Sequence, residues 1–256
     1  MEASQAIDLG RERSVGEMLR TAFDMYRRYP LLFATLAVGV IAPYELARLA
    51  ATGVAPLGSG KGANTGTLLL FDLLDYSFVG PLISALHVHA VIEIGEGRRP
   101  RLGSVAAQGL RVLPVVAAAE IVATILIALG FVALIIPGIL LALGWSVVAQ
   151  TAAVDHEGWL PALRRSRPLT AGHYRHIFRL VFAVGILGFV VGLVGAQATI
   201  GASTSFASVV IGIALYTIVA SFGALVVAIL YFDLRAREAG PQRGSLPEHR
   251  ELTDSE

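Results

Sequence analysis

Long apolar stretches separated by clusters of arginine constrain this chain more than any other feature of its sequence. Of the 20 lysine and arginine residues, 18 fall in four clusters, and the stretches between the clusters carry little charge. With 55% hydrophobic and 15% charged residues, the chain is too apolar for an ordinary soluble domain. A helix needs about 20 mostly apolar residues to cross the hydrocarbon core of a bilayer, so the pattern predicts several membrane-spanning helices.

Six segments have the length and apolar character that a membrane-spanning helix requires. Their predicted bounds are residues 30–49, 68–92, 112–131, 134–154, 177–197 and 209–232. The predicted fold is therefore an all-α, polytopic membrane helix bundle with six transmembrane helices and short interfacial helices. The lipid bilayer is then the main partner of the chain.

The arginine clusters predict the orientation of the bundle. One cluster precedes the first span and one follows the sixth, while the others separate the second from the third and the fourth from the fifth. Because short loops rich in lysine and arginine stay in the cytoplasm, both termini are expected to be cytoplasmic. Residues 1–28 have no apolar core ahead of a small-residue cleavage site, so a cleavable signal peptide is not expected.

Three basic amphipathic stretches, at residues 14–28, 102–111 and 159–167, are predicted to be short interfacial helices on the cytoplasmic side. In the first stretch, Ser14 and Glu17 have the spacing of a capping box. Six arginines of these helices are expected to contact anionic lipid headgroups. They are Arg20, Arg27, Arg28, Arg164, Arg165 and Arg167.

The membrane domain is expected to cover residues 14–238. Residues 1–13 are predicted to be a flexible N-terminus. The polar, proline-containing residues 239–256 are predicted to be a disordered tail.

Ionisable side chains inside membrane-spanning segments are costly, which makes them candidates for a functional site. The candidate intramembrane polar site consists of His87, His89, Glu93 and Glu120. Because a short connection joins the second and third spans, His87 or His89 is placed to meet Glu120, as in a proton relay or a polar cavity. The alternative is that these side chains only hold helices together.

The spacing of the histidines argues against a metal site. Residues two apart on a helix differ in direction by about 200°, so His87 and His89 point to different faces. His89 and Glu93 share a face, but two ligands are too few for a metal ion. We therefore predict no metal and no cofactor.

Other charged groups have simpler interpretations. Asp72 and Asp75 also interrupt the second span, and Glu45 and Arg48 are expected to pair near the end of the first. The polar residues of the fourth-to-fifth connection are expected to be solvated. They are Asp155, His156, Glu157, His173 and His176.

Small and helix-breaking residues bear on how the spans pack. Pro137 and Gly138 indicate either a tight hairpin between the third and fourth spans, which is the simpler interpretation, or a broken helix like those of transporters. A stripe of small residues on the fifth span predicts close helix packing, within the chain or in a homodimer. This stripe is Gly185, Gly188, Gly192 and Gly195.

Motifs of known reactions are absent from the sequence. It contains no phosphate-binding glycine loop, nucleophile elbow or zinc-protease motif. The arginines are explained by membrane-proximal helices without nucleic acid. The lack of cysteine excludes disulfides and thiolate metal ligands. We therefore expect that the protein is not an enzyme.

Several short motifs, taken in order, resemble those of a known family. They are Ser14-Val15-Gly16-Glu17 with Tyr26-Arg27-Arg28-Tyr29-Pro30, Ile136-Pro137-Gly138-Ile139 with Trp145, Ala162-Leu163-Arg164-Arg165-Ser166 with Leu169-Thr170 and Gly172, and Tyr231-Phe232-Asp233-Leu234-Arg235. Together they resemble bacterial six-helix membrane proteins of the glycerophosphoryl diester phosphodiesterase membrane-domain-like group. The resemblance implies a six-helix fold in the bacterial inner membrane. It implies no phosphodiesterase activity, because the chain has no room for the catalytic barrel.

Two functions remain open at this point. The first is a non-catalytic inner-membrane protein that serves in envelope upkeep or as a scaffold for a membrane partner. The second is a transporter or lipid-handling permease with a polar site at Glu120 and His87 or His89. An enclosed polar cavity would favour the second, and a dry bundle with paired polar groups would favour the first.

Overall fold

The structure, a computed structural model, describes residues 8–56, 63–155, 158–198 and 205–243. These residues form helices joined by short connections, with no strand among them. In chain order the helices are α1 (Val15–Arg28), α2 (Pro30–Thr52), α3 (Thr65–Leu74), α4 (Gly80–Gly95), α5 (Leu102–Ala133), α6 (Ile135–Gly144), α7 (Val148–Asp155), α8 (Trp159–Thr170), α9 (Tyr174–Ala198) and α10 (Phe206–Arg243). A five-residue π-helical turn, Asp75–Val79, joins α3 to α4.

Six stretches of helix are long and apolar enough to cross a membrane, which confirms the predicted all-α polytopic bundle. They are α2, α3 with α4, α5, α6 with α7, α9, and α10. We call the end where α1, α8, the α4–α5 connection and the last turns of α10 lie the arginine-rich end. The other end, which holds the α2–α3 and α5–α6 connections, is the opposite end.

Helix α5 begins ten residues before the predicted third span. The separate interfacial helix predicted at residues 102–111 is wrong, because these residues form the first turns of one helix from Leu102 to Ala133. Its glycines do not interrupt it. At Gly109 a β-carbon would lie 2.6 Å from Cδ2 of Leu86, so this glycine lets α4 and α5 approach closely. The 32 residues make a helix about 48 Å long at 1.5 Å per residue, longer than a hydrocarbon core of about 30 Å.

Helix α1 has the predicted capping box. The Ser14 hydroxyl accepts a hydrogen bond from the Glu17 backbone N–H at 3.3 Å, and the Ser14 N–H donates to the Glu17 carboxylate at 2.8 Å. The Ser14 hydrogen bonds lower the pKa of Glu17 below its ordinary value. The apolar face of α1 does not turn to lipid as predicted: Met18, Ala22 and Met25 are buried in the bundle, mainly against α10.

Both chain ends are more ordered than the sequence predicted within the described residues. Arg13, assigned to a flexible N-terminus, is buried, and its backbone N–H donates to the Asp233 carboxylate at 2.5 Å. Helix α10 continues to Arg243, into the segment predicted to be a disordered tail. Residues 1–7 and 244–256 lie outside the described part of the chain.

The fourth span is two helices rather than one. Helix α6 ends at Gly144, and α7 starts after a break of three residues, 145–147. Helix α8 stabilises the break, because the hydroxyls of Ser166 and Thr170 donate to the Gly144 carbonyl at 3.0 and 3.1 Å. The Trp145 indole N–H donates to the Leu163 carbonyl at 3.2 Å, and the Leu163 side chain is buried.

Helix α8 continues past the predicted bound of residue 167, through Pro168 to Thr170. The helix thus keeps the Thr170 hydroxyl in place below α6.

A tight hairpin joins α5 to α6, as the simpler interpretation of Pro137-Gly138 predicted. Leu134 alone is extended, its N–H donates to Gly130 at 2.9 Å, and its carbonyl accepts from Gly138 at 3.3 Å. The backbone N–H and carbonyl of Leu134 are therefore both hydrogen-bonded within the hairpin, as an apolar environment requires. A β-carbon on Gly138 would lie 2.5 Å from Cγ of Phe131, so the two helices need glycine at this contact.

We expect Gly138→Ala to destabilise the bundle by about 1–3 kcal/mol, because the added methyl group overpacks the hairpin. The matched control is Gly39→Ala in α2, where a β-carbon would meet nothing within 4 Å. Alanine favours helix there, so the control should be neutral or more stable, by up to about 1 kcal/mol. Thermal unfolding of both variants in one detergent measures the difference. Equal unfolding midpoints would contradict the hairpin geometry.

Candidate functional site

The predicted polar site is not one cluster, and His87 is part of the buried core. His87 is fully buried, its ring stacks on Phe33 at 5.4 Å, and its Nδ1 lies 2.8 Å from the Ile83 carbonyl. A carbonyl only accepts, so Nδ1 carries the hydrogen and Nε2 accepts from the Ser221 hydroxyl at 2.7 Å. The predicted meeting of His87 with Glu120 is therefore wrong, and His87 joins α4 to α10 instead.

Glu93 lies at the arginine-rich end, one helical turn after His89 and away from the cavity that Glu120 lines. Its carboxylate accepts hydrogen bonds from the Arg101 backbone at 3.3 Å, the Ser104 hydroxyl at 3.1 Å and the Gln108 amide at 3.3 Å. Glu93 therefore holds the end of α4 against the start of α5. His89 is also buried, on α4.

Glu120 is the member that borders a cavity. The cavity is about 300 Å³ and is lined by Asp75, Tyr76, Gly80, Pro81, Ser84 and Glu120. We call it the α5-side cavity. It lies between α5, the π-helical turn and the first turns of α4, and it includes no histidine in its lining.

The π-helical turn has a cause in the sequence. Pro81 has no backbone N–H, and its ring would clash with the carbonyl of Ser77 in a regular α-helix. The wider turn from Asp75 to Val79 avoids this clash, and the Gly80 N–H donates to the Asp75 carbonyl five residues earlier. Single π-turns of this kind recur at functional sites.

Asp75 is held by a short hydrogen bond from α10. The Tyr216 hydroxyl donates to Asp75 Oδ1 at 2.6 Å. Both residues lie ten positions into helices that start at the opposite end, which is a depth of about 15 Å at 1.5 Å per residue. A carboxyl group is thus fixed well inside the membrane-spanning region.

A second cavity adjoins Asp75 on the other side. This α9-side cavity is about 290 Å³ and is lined by residues of α2, α3, α9 and α10 together with Pro56 and the π-helical turn. Its ionisable lining residues are Glu45, Arg48, Asp72 and Asp75, with the phenols of Tyr44 and Tyr216. Three carboxyl groups therefore face one guanidinium, and Asp75 belongs to both cavities.

Neighbouring contacts fix the walls of the α9-side cavity. The predicted Glu45–Arg48 pair is present at 3.4 Å, with Glu45 buried. The Tyr44 hydroxyl donates to the Phe71 carbonyl at 2.9 Å, which binds α2 to α3. Asp72, by contrast, is exposed on α3.

The glycine stripe of α9 is only partly in a helix contact within the chain. A β-carbon on Gly188 would lie 3.3 Å from Val219, whereas on Gly185 and Gly192 it would meet nothing within 4 Å. Gly188 and Gly192 line the α9-side cavity, and Gly195 is buried. Gly188 and Gly192, which have no side chain, thus leave room for the α9-side cavity.

Five of the six arginines predicted at lipid headgroups are exposed: Arg20, Arg27, Arg28, Arg164 and Arg167. Three of the six make contacts within the protein. Arg28 lies over the Tyr29 ring at 5.8 Å. Arg165 pairs with Glu238, and the exposed Arg167 lies over the Trp145 ring at 5.6 Å.

A buried carboxylate organises the arginine-rich end. Asp233 has no exposed surface, accepts from Arg237 Nε at 2.8 Å, and lies 3.4 Å from Nε2 of His176. Asp155 accepts a hydrogen bond from Tyr231 at 3.0 Å. The prediction that His176 and Asp155 are merely solvated is wrong, while His156 and Glu157 lie outside the described residues.

Among the described residues, no group of three histidine, aspartate or glutamate side chains is arranged to hold a metal ion. The acidic cavities, with phenol rings beside their carboxyl groups, are suited instead to a small cation or to proton exchange. We take the two cavities and Asp75 as the candidate site.

The sequence singled out Asp75 as ionisable but did not assign it to the site. The signal was present in Gly80-Pro81, since a proline inside an apolar span marks a local break in the hydrogen-bond ladder. The phenols of Tyr44 and Tyr216 carried no such signal, because aromatic residues are common in spans.

Comparison with protein-family models, curated proteins and solved structures finds no match to this chain.

We expect a double-mutant cycle of Asp75→Asn and Tyr216→Phe to give a coupling of about 1–3 kcal/mol, because the hydrogen bond ends on a carboxyl group inside the bundle. The free energy of unfolding from SDS titration in mixed micelles measures it. The control cycle pairs Asp75→Asn with Tyr44→Phe, which shares the cavity but bonds to Phe71. A coupling for Tyr216 no larger than that for Tyr44 would contradict the contact.

Proposed function

We propose that the protein binds a small cationic ligand at Asp75, as a transporter or lipid-handling permease of the bacterial inner membrane. One observation carries the proposal: two cavities meet at a carboxyl group, that of Asp75, inside a bundle of six long and predominantly apolar stretches of helix. Polar walls are costly in the membrane, and in transporters they line the substrate path. The proposal involves no chemical reaction.

The charge of the lining supports a cation rather than an anion. In the α9-side cavity three carboxyl groups outnumber the single guanidinium of Arg48, which is already paired with Glu45. Asp72 and Asp75 are then left to balance a ligand charge, and the faces of Tyr44 and Tyr216 favour an organic ammonium group. The volume of about 290 Å³ suits a small molecule.

We expect Asp75→Asn to weaken binding of small ammonium ions at least tenfold, or about 1.4 kcal/mol, because it removes the charge shared by both cavities. The measurement is the thermal shift of the purified protein with choline, putrescine and tetramethylammonium. Proton flux into proteoliposomes with a trapped pH dye is the second readout. Asp24→Asn, an exposed carboxyl group on α1, is the matched control and should behave as wild type.

Wild-type protein that shows neither a thermal shift nor proton flux would contradict the proposal. That result would favour the second candidate, a non-catalytic scaffold in envelope upkeep. The observation behind this candidate is α9, whose large side chains Phe182, Phe189 and Val194 are exposed along the helix. Such a face is available to a membrane partner or to a second copy of the chain as well as to lipid.

The orientation and the family are part of the proposal. The arginine clusters support an arginine-rich end in the cytoplasm, with both termini there. The ordered motifs from Ser14 to Arg235 support membership of the glycerophosphoryl diester phosphodiesterase membrane-domain-like group.

The chain has no cysteine, so single cysteines report the orientation cleanly. We expect Thr65→Cys, at the opposite end, to react with a membrane-impermeant maleimide on intact cells. Ala171→Cys, exposed at the arginine-rich end, should react only after the cells are opened. The reverse pattern would place the arginines outside and contradict the proposed orientation.

A further inference from the structure

We propose that the cleft between the end of α4 and the start of α5 binds a phosphate group, supplied by an anionic lipid headgroup or by free phosphate. The cleft lies at the arginine-rich end and shares no residue with the two cavities at Asp75. It is thus independent of the function proposed above.

The end of α4 gives the cleft a defined shape. Gly97 adopts a positive φ of 73°, and its N–H donates to the Ile94 carbonyl at 3.0 Å. The Arg98 N–H donates back to the Glu93 carbonyl at 2.9 Å. These two bonds make a Schellman motif, which turns the chain sharply and places the following arginines beside the first turn of α5.

The cleft is strongly basic. It has a volume of about 430 Å³ and is lined by Glu93, Arg98, Arg99, Arg101 and Ser104. Arg98 pairs with Glu96, whereas no ion pair engages Arg99 or Arg101 among the described residues. Two exposed guanidinium groups are therefore free to bind phosphate, whose oxygens match their paired N–H donors.

One carboxylate, that of Glu93, also lines the cleft, and hydrogen bonds hold it in place. Glu93 is 6% exposed, and both of its oxygens already accept hydrogen bonds, from Arg101, Ser104 and Gln108. Its role is to fix the arginine-bearing connection against α5. The donors to Glu93 are neutral and do not cancel its charge, so with Arg98 paired to Glu96 the two guanidiniums of Arg99 and Arg101 face one carboxylate, a net charge of +1.

The start of α5 adds backbone donors. Its N-cap residue, Arg101, makes no side-chain cap hydrogen bond, so the first N–H groups of a 32-residue helix have no partner from the cap. A β-carbon on Gly103 would meet nothing within 4 Å, so a ligand can approach these groups. Free N–H groups at a helix start favour an anion, and here they lie beside two guanidiniums.

The surroundings favour a lipid as the source of the phosphate. Leu102 and Leu110, on the first turns of α5, are 44% and 58% exposed. Apolar side chains beside arginines at the end of a membrane-spanning helix match the boundary between headgroups and acyl chains.

Native mass spectrometry of the full chain, titrated with phosphatidylglycerol in detergent, tests the site. We expect Arg99→Gln with Arg101→Gln to weaken the tightest lipid binding about tenfold or more. The matched control, Arg175→Gln with Arg179→Gln, removes the same charge from exposed positions of α9 and should change binding less than about twofold. Equal losses in the two variants would overturn the proposal.

Gly103→Asp separates binding from folding. The new carboxylate has open space and a favourable position in the first turn of α5, so the unfolding midpoint should not fall. This carboxylate would take the place of the phosphate at the start of α5. Phosphatidylglycerol binding should therefore fall as far as in the variant that carries both Arg99→Gln and Arg101→Gln. Unchanged binding in Gly103→Asp would overturn the proposal.

Competition identifies the source of the phosphate. Displacement of the lipid by millimolar inorganic phosphate or glycerol 3-phosphate would show that the phosphate group alone suffices. Failure of both to displace a lipid whose binding depends on Arg99 and Arg101 would show that the acyl chains are needed.

Discussion

One missing hydrogen-bond donor shapes the centre of this bundle. Pro81 has no N–H to continue the helix that starts at Thr65, and the π-helical turn at Asp75–Val79 precedes it. That turn directs Asp75 towards Tyr216 on α10 while leaving it at the wall of the cavity beside α5. Without the turn, the two cavities would not share a carboxyl group.

The carboxyl groups near the two ends of α10 have different surroundings. Near the arginine-rich end, Asp233 accepts hydrogen bonds from Arg13, just before α1, and from Arg237 of its own helix, which suits a fixed structural role. Near the opposite end, Asp75 has a phenol as its hydrogen-bond donor and empty volume on two sides. A carboxyl group with space around it is available to a ligand, and one with a full set of donors is not.

Hydropathy and charge predicted the six spans because burial in lipid acts on every residue of a span. The capping box could also be predicted, because its signal is the local spacing of Ser14 and Glu17. The site could not be predicted in the same way. Predicting the direction of a side chain requires an unbroken helical period, and the π-helical turn at Asp75–Val79 interrupts it. One extra residue in a π-turn rotates the rest of the helix by about 100°, so a regular helix drawn through Asp75 and His87 misplaces one of them. Amphipathicity also does not tell whether the apolar face of α1 or α8 contacts lipid or protein, because that depends on tertiary packing.

The broken fourth span has a consequence for biosynthesis. The carbonyl at the end of α6 belongs to Gly144, and the Thr170 hydroxyl that bonds to it comes 26 residues later in the chain. While the protein is being made, α6 and α7 therefore enter the membrane before their break has its donors. The fourth span therefore obtains these hydrogen bonds only after α8 has been synthesised and has packed against the end of α6, so its structure is completed later than its own synthesis.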